Sequence, residues 1–148
     1  MTLKWEGKAV TARMRRAMIA GVNQTMAAAV NEAKRSHAWQ NRTGTLEGSI
    51  DIHDFAAPTD RGRGVRGLWG SRDVRYALIH ELGGVIRPKT ARALFIPDRA
   101  GGVAAVVAQV TIPARPYLRP AADKHYPSLS RRIRAAFERG STARGGGA

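Results

Sequence analysis

The 148-residue sequence contains no cysteine. That excludes disulfides, a thiolate zinc site and a thiol nucleophile, and it agrees with a protein made for a reducing cytoplasm. Long apolar runs are missing too, since none approaches the ~18–20 residues that a membrane span requires. Near the N-terminus, Lys4, Glu6 and Lys8 stand where a signal peptide needs a continuous apolar stretch. We therefore expect a soluble chain with no export signal of its own. Aromatics are few, three each of Phe, Tyr and Trp, and they form no run on which single-stranded bases would stack.

Acidic residues are also scarce, 11 against 25 Lys and Arg, for a net charge of +14. The excess is uneven. Residues 1–40 carry +5, residues 41–84 are neutral and residues 85–148 carry +9. A field of one sign favours polyanions, of which nucleic acid is the obvious example. Twenty of the 25 cations are Arg and only five are Lys, in a chain rich in Ala and Gly, so the excess also reads as the compositional bias of a GC-rich coding sequence.

The motifs that would carry an enzymatic reaction are incomplete. His80-Glu81-Leu82-Gly83-Gly84 starts like a zinc-protease helix, but Gly84 occupies the position of the second histidine ligand. His80 and Glu81 then read as surface or packing residues. Asp51 and His53 share a strand face from which Asp54 points away, so the three do not converge. The glycines of residues 61–67 lack the Lys-Ser/Thr of a phosphate loop, and no serine sits in a Gly-x-Ser-x-Gly elbow. We expect no enzyme, no cofactor and no metal.

Residues 10–38 read as one long helix with Met14, Met18, Val22, Met26, Ala29 and Ala33 facing inward, and Arg13, Arg16, Asn23 and Lys34 facing out. Gly21, costly inside a helix, would mark the close approach of another backbone. A turn at 41–49, with room for one helical turn, precedes a strand over 49–55 that buries Ile50, Ile52 and Phe55. A mobile polar loop at 57–64 leads to a partner strand at 65–71. A short helix at 73–82 stops at Gly83-Gly84. Strands at 94–97 and 103–112 flank a hairpin connection at 98–102. A final helix at 120–139 starts on a proline and buries Tyr126, Leu129, Ile133 and Phe137. The order implies an α+β fold, with a long N-terminal helix and a C-terminal helix packed on a mostly antiparallel β-sheet. Residues 1–139 would form a single domain, and 140–148 a flexible Gly-rich tail.

Three segments together resemble the tail-completion and virion-morphogenesis proteins of tailed phages. These are Arg42-Thr-Gly-Thr-Leu-Glu-Gly-Ser-Ile50, Tyr76-Ala-Leu-Ile-His-Glu-Leu-Gly-Gly84 and Ile112-Pro-Ala-Arg-Pro-Tyr-Leu-Arg-Pro-Ala121, with Ala91-Arg-Ala-Leu-Phe-Ile-Pro97 between the last two. Their order and spacing over 42–121 carry the likeness. Tyr117, where phenylalanine is common, and Glu47-Gly48, where basic residues often occur, depart from the pattern.

The resemblance implies a virion neck protein assembled in the host cytoplasm, a homo-oligomeric ring of about six copies. It would sit between the head connector or stopper and the tail terminator or tail tube, with DNA passing through the lumen. A tail terminator, a head-tail adaptor and a non-specific nucleic-acid-binding module are the alternatives. On this reading Arg87, Lys89, Arg92, Arg115 and Arg119 are candidates for the DNA lumen or the subunit interface. Tyr76, Ile79 and Leu82 would pack the short helix onto the sheet, Tyr117 and Leu118 would anchor the last helix, and Arg115 would brace carboxylates or carbonyls.

Overall fold

The computed structural model of the chain describes residues 6–40 and 43–142, with side chains as far as residue 140. It is an α+β fold whose first element, α1 (Gly7–Arg35), is a 29-residue helix, about 43 Å long at ~1.5 Å per residue. Lys34 and Arg35 in its last turn suit the negative end of the helix dipole. Ser36 ends it, its N–H bonding the Glu32 carbonyl at 2.8 Å and its hydroxyl the Glu32 carboxylate at 2.8 Å.

The buried stripe of α1 is the small-residue one: Ala17, Gly21, Thr25, Met26, Ala29, Val30 and Ala33. Met14, expected inside, is exposed, and Met18 and Val22 are half-buried. Steric reach explains the difference. The C-terminal helix α5 (Leu129–Thr142) crosses so closely that a Cβ on Gly21 would lie 2.5 Å from Ile133 Cγ1 and 3.0 Å from the Ile133 backbone. Gly21 thus marks a backbone approach, as its place inside a helix implied. Two residues read as outward-facing also work inward. Arg13 donates from Nε to the Phe137 carbonyl at 3.0 Å and stacks on that ring at 3.8 Å. Asn23 Oδ1 accepts the Ala56 N–H at 2.8 Å.

After a one-turn helix α2 (Thr45–Ser49), β1 (Ile50–Pro58) and β2 (Val65–Ser71) pair antiparallel. Residues 41–42 of the preceding turn lie outside the described residues. Register shifts between Ile52 and Asp54 and between Asp54 and Ala57 break the alternation. Ala56 therefore turns inward and Phe55 stands 68% exposed, contrary to expectation. The 59–64 loop is tied: Thr59 N–H bonds Gly64 O at 2.9 Å, and Gly62 N–H bonds Thr59 O at 2.7 Å. Arg15 reaches the Gly62 carbonyl from α1 at 3.3 Å, so this is an anchored hairpin end and not a loose segment.

Helix α3 (Ala77–Leu82) is followed by β3 (Gly84–Ile86), β4 (Leu94–Pro97), β5 (Val103–Val107) and β6 (Val110–Ile112). The apolar stretch 103–112, expected as one strand, is two. Its first half pairs with β4 and its second with β3, both antiparallel. The partner side is broken at residues 87–93, where Pro88 has no N–H to give to a ladder. Among the described residues all strands are thus antiparallel, in three two-stranded ladders: β1–β2, β3–β6 and β4–β5.

The expected final helix is also divided. Helix α4 (Leu118–His125) passes through a 3-10 turn (Tyr126–Ser128) into α5. Pro127 explains the break, because its ring obstructs the carbonyl one turn back and it offers no N–H. Leu129, Ile133 and Phe137 face α1 half-buried. Tyr126 is 51% exposed, its hydroxyl accepting the Trp69 indole N–H at 3.0 Å. Backbone helix continues through Thr142, beyond the expected boundary at 139, and the remainder of the glycine-rich tail lies outside the described residues.

The main core joins Val30 and Ala33 of α1 to Trp39, Leu46, Ile50, Tyr117 and Ala121, with Trp69, Ala77 and Leu118 packed around them. Ile50 is fully covered, which contributes about 2 kcal/mol for an aliphatic side chain of that size. No helix among the described residues is long and apolar enough to cross a membrane.

Candidate functional site

Residues 84–112 leave the core and return to it. Neither of their two ladders, β3–β6 and β4–β5, packs against another element beyond isolated contacts. They form an arm. Phe95 and Val106 face each other across the β4–β5 ladder, and they are 66% and 58% exposed. Val85, Ile86, Ile96 and Val103 are also exposed. Cross-strand pairs of this kind normally cover one another against a sheet or helix, but among the described residues no other element packs over them beyond isolated contacts. The hairpin tip is ordered by Asp98, whose Oδ1 accepts the N–H groups of Ala100 (2.8 Å) and Gly102 (2.7 Å).

The base of the arm is closed by Glu81. One carboxylate oxygen accepts the backbone N–H of Tyr117 at 2.7 Å and of Leu118 at 3.0 Å, and the other accepts that of Arg119 at 2.9 Å. These are the unpaired donors at the start of α4, supplied with a negative charge at the positive end of the helix. Arg115 N–H donates to the His80 carbonyl at 2.7 Å. Gly83 lies at φ +69°, and a Cβ there would stand 2.6 Å from the Ala114 nitrogen. Only glycine meets both conditions at that position. Segments 76–84 and 112–121 are therefore one physical unit.

Tyr117 and Leu118 anchor α4, as the resemblance implied. The Tyr117 ring packs edge-on to Trp39 with centroids 4.7 Å apart, and its hydroxyl pairs with Ser71 Oγ at 2.8 Å. Burial pushes its phenol above the ordinary 10.0, the Ser71 hydrogen bond acts in the opposite direction, and the Glu81 charge adds to the rise. The packing role expected for the short helix is only partly met. Ala77 reaches the core and Ile79 is half-buried, but Leu82 is 68% exposed and Tyr76 is exposed as well. Leu82 projects outward because the helix is held by Glu81 and Gly83 on either side of it.

All five candidate cations are exposed, and they fall into two groups. Arg87, Lys89 and Arg92 lie on the β3–β4 connection of the arm, with Arg87 Nε donating to Gln109 Oε1 at 3.1 Å. Arg115 and Arg119 sit where the chain re-enters the body. The hydrogen bonds that close this junction involve the Glu81 carboxylate as acceptor and the Arg115 backbone N–H as donor. Sequence reasoning passed over Arg99 at the hairpin tip, which is also exposed. With four cations and Asp98 alone against them, the arm has a net charge of +3.

No family model matches this chain, and no curated protein or solved structure matches it either. Its chemistry is carried by its own geometry: an apolar, basic arm clamped to a core by a glutamate. Among the described residues no three His, Asp or Glu side chains converge as a cage for a metal ion. His53 Nε2 instead bonds the Gly70 carbonyl at 2.9 Å, and Asp51 accepts the N–H of Ile52 at 2.8 Å.

Proposed function

We propose that this chain is a structural subunit of a tailed-phage neck, of the tail-completion kind. Copies of it would associate as a ring between the head connector and the tail, with DNA passing through. The observation that carries this reading is the arm with its exposed Phe95–Val106 pair. A monomer gains nothing from an apolar ladder that it cannot cover, whereas a ring covers it with the next copy. The fused segments 76–84 and 112–121, which carry the family resemblance, are the clamp that fixes the base of the arm. Its excess positive charge suits a surface beside a phosphate backbone without reading sequence.

The test is direct. Mass spectrometry and electron microscopy of purified particles should find the chain in every virion, in ring stoichiometry at the neck. Particles that eject DNA normally and contain no copy of it would overturn the proposal. The four cations of the arm also favour a second reading, a free nucleic-acid-binding module. That reading requires duplex affinity by the isolated chain that falls steeply with salt.

A further inference from the structure

The β1–β2 hairpin turns one face to α1, where Ala56 is buried and its N–H reaches Asn23 Oδ1 at 2.8 Å. Its outer face is as open as the arm. Asp54 and Leu68 stand opposite each other in the register, and both are exposed. Leu68 is 50% exposed and Phe55, next to Asp54, is 68% exposed. A cleft of about 500 Å³ opens on this face, lined by Asp54, Phe55, Pro58, Asp60 and Arg66 among others.

Charge sets this face apart from the apolar openings along α1. Neither Asp54 nor Asp60 takes part in an ion pair among the described residues, and the cleft sets these two carboxylates against Arg66 alone. The opening between α1 and the hairpin turn joins Val10, Met14 and Met18 to Arg15 and Arg63, with no carboxylate among the described residues. The one lined by Val22, Met26 and Trp69 has Arg66 as its charged group. At the start of α1, Lys8 and Arg15 outnumber Glu6. The arm has the opposite sign to the cleft. Its Lys89, Arg92 and Arg99 have no carboxylate partner among the described residues, and its net charge is +3. Two arms laid face to face would oppose +3 to +3, a like-charge contact that association penalises.

We propose that the β4–β5 hairpin of one copy docks on the outer β1–β2 face of a second copy. Phe95 and Val106 cover Phe55 and Leu68, and the arm's cations meet Asp54 and Asp60. This rests on the reading of the chain as a ring subunit and names the surface that receives the arm. All four apolar side chains are half or more exposed in the single chain, so each pair removes area of the other from water. The charged groups frame that contact and fix its register, as charges at the rim of an interface do. Arm and receiving face are different surfaces of one chain, so the contact is heterologous. Each copy gives one arm and receives one, and repetition closes a ring.

The absence of cysteine makes the test clean. Full-length Phe95→Cys and Phe55→Cys chains, one of them isotopically heavy, are mixed at high concentration and oxidised mildly. The mixed disulfide dimer should dominate over both self-dimers, because docking raises the effective concentration of that pair alone. A chain carrying both substitutions should give a ladder of cross-linked multimers. Asp54→Arg with Asp60→Arg should weaken association in sedimentation by about tenfold or more. Adding Arg92→Asp with Arg99→Asp should restore it, and thermal unfolding of each variant reports an intact fold. Failure of that restoration would overturn the proposal. Predominant pairing of Phe95→Cys with itself would overturn it as well, and would leave association between copies standing. A complete lack of cross-links would also sink it, while the ring reading is decided separately by the content of virions.

Discussion

Glu81 accepts the backbone N–H of Tyr117 at 2.7 Å, and this contact ties the short helix before the arm to the first turn of the helix after it. A carboxylate 36 residues upstream in the chain thus does the work usually done by a capping side chain next to the helix.

Replacing that carboxylate should be expensive. Glu81→Ala leaves the donors of Tyr117, Leu118 and Arg119 without their acceptor, at a cost of about 2 kcal/mol. Glu81→Gln keeps an acceptor and loses the charge, so it should fall between wild type and the alanine variant. Urea unfolding at neutral pH measures both. An alanine variant as stable as wild type would mean that water caps α4 equally well.

The crossing of α1 and α5 sets a steric limit at Gly21. Adding a methyl group improves helix propensity by about 1 kcal/mol, but overpacking against Ile133 costs about 1–3 kcal/mol. Gly21→Ala should therefore be mildly destabilising and Gly21→Val strongly so. The double variant Gly21→Ala with Ile133→Ala should lose less than the two single losses added together, because the first clash partner, Ile133 Cγ1, is gone. Strict additivity in a double-mutant cycle would contradict this packing account.

Acid should weaken the α1–α4 contact in a defined window. The Lys124 ammonium, bonded at 2.8 Å, holds the Glu32 carboxyl down at about 2 from 4.5, and Ser36 assists. His125 Nε2 lies 3.7 Å from the other oxygen. A group with a depressed folded pKa takes up its proton more readily when unfolded. Its contribution is complete above about pH 4.5 and drains away as pH falls through 2. Lys124→Met should raise the Glu32 pKa and flatten that part of the stability–pH curve. Carboxyl carbon shifts followed by NMR give the pKa directly, and an unchanged value in the variant would refute the assignment.

The arm offers a separation of folding from assembly. Phe95→Ser with Val106→Ser should leave monomer stability within about 0.5 kcal/mol, as expected for exposed positions. Association with further copies should be lost. Thermal unfolding and sedimentation on the same samples compare the two. A variant that still forms rings would move the interface elsewhere.

Periodic features were readable in advance, and long-range ones were not. The long helix, the β1–β2 pair and the 94–97 strand announce themselves through spacing and punctuation. The buried stripe of α1 did not, because counting apolar residues selects Met14, whereas the approach of α5 selects Gly21 and Ala17. Pro127 was visible in the sequence, but the spacing of Tyr126, Leu129, Ile133 and Phe137 outweighed it. β3 is three residues long, too short for any alternation to register. At the candidate site, the exposure of Arg87, Lys89, Arg92, Arg115 and Arg119 followed from their charge. Their division between arm and body depends on where the chain turns back, and Glu81 meets its partners only after that turn.

Because Gly83 and Ala114 touch, and Arg115 bonds back to His80, the 84–112 excursion begins and ends at a single point on the body. Its length then has little influence on the rest of the chain, since the closure entropy of a longer detour rises only slowly. Such a segment behaves as a cassette. Relatives could carry a longer, shorter or differently charged hairpin on the same stem, and a graft at this junction would inherit a rigid mount without redesign of the core.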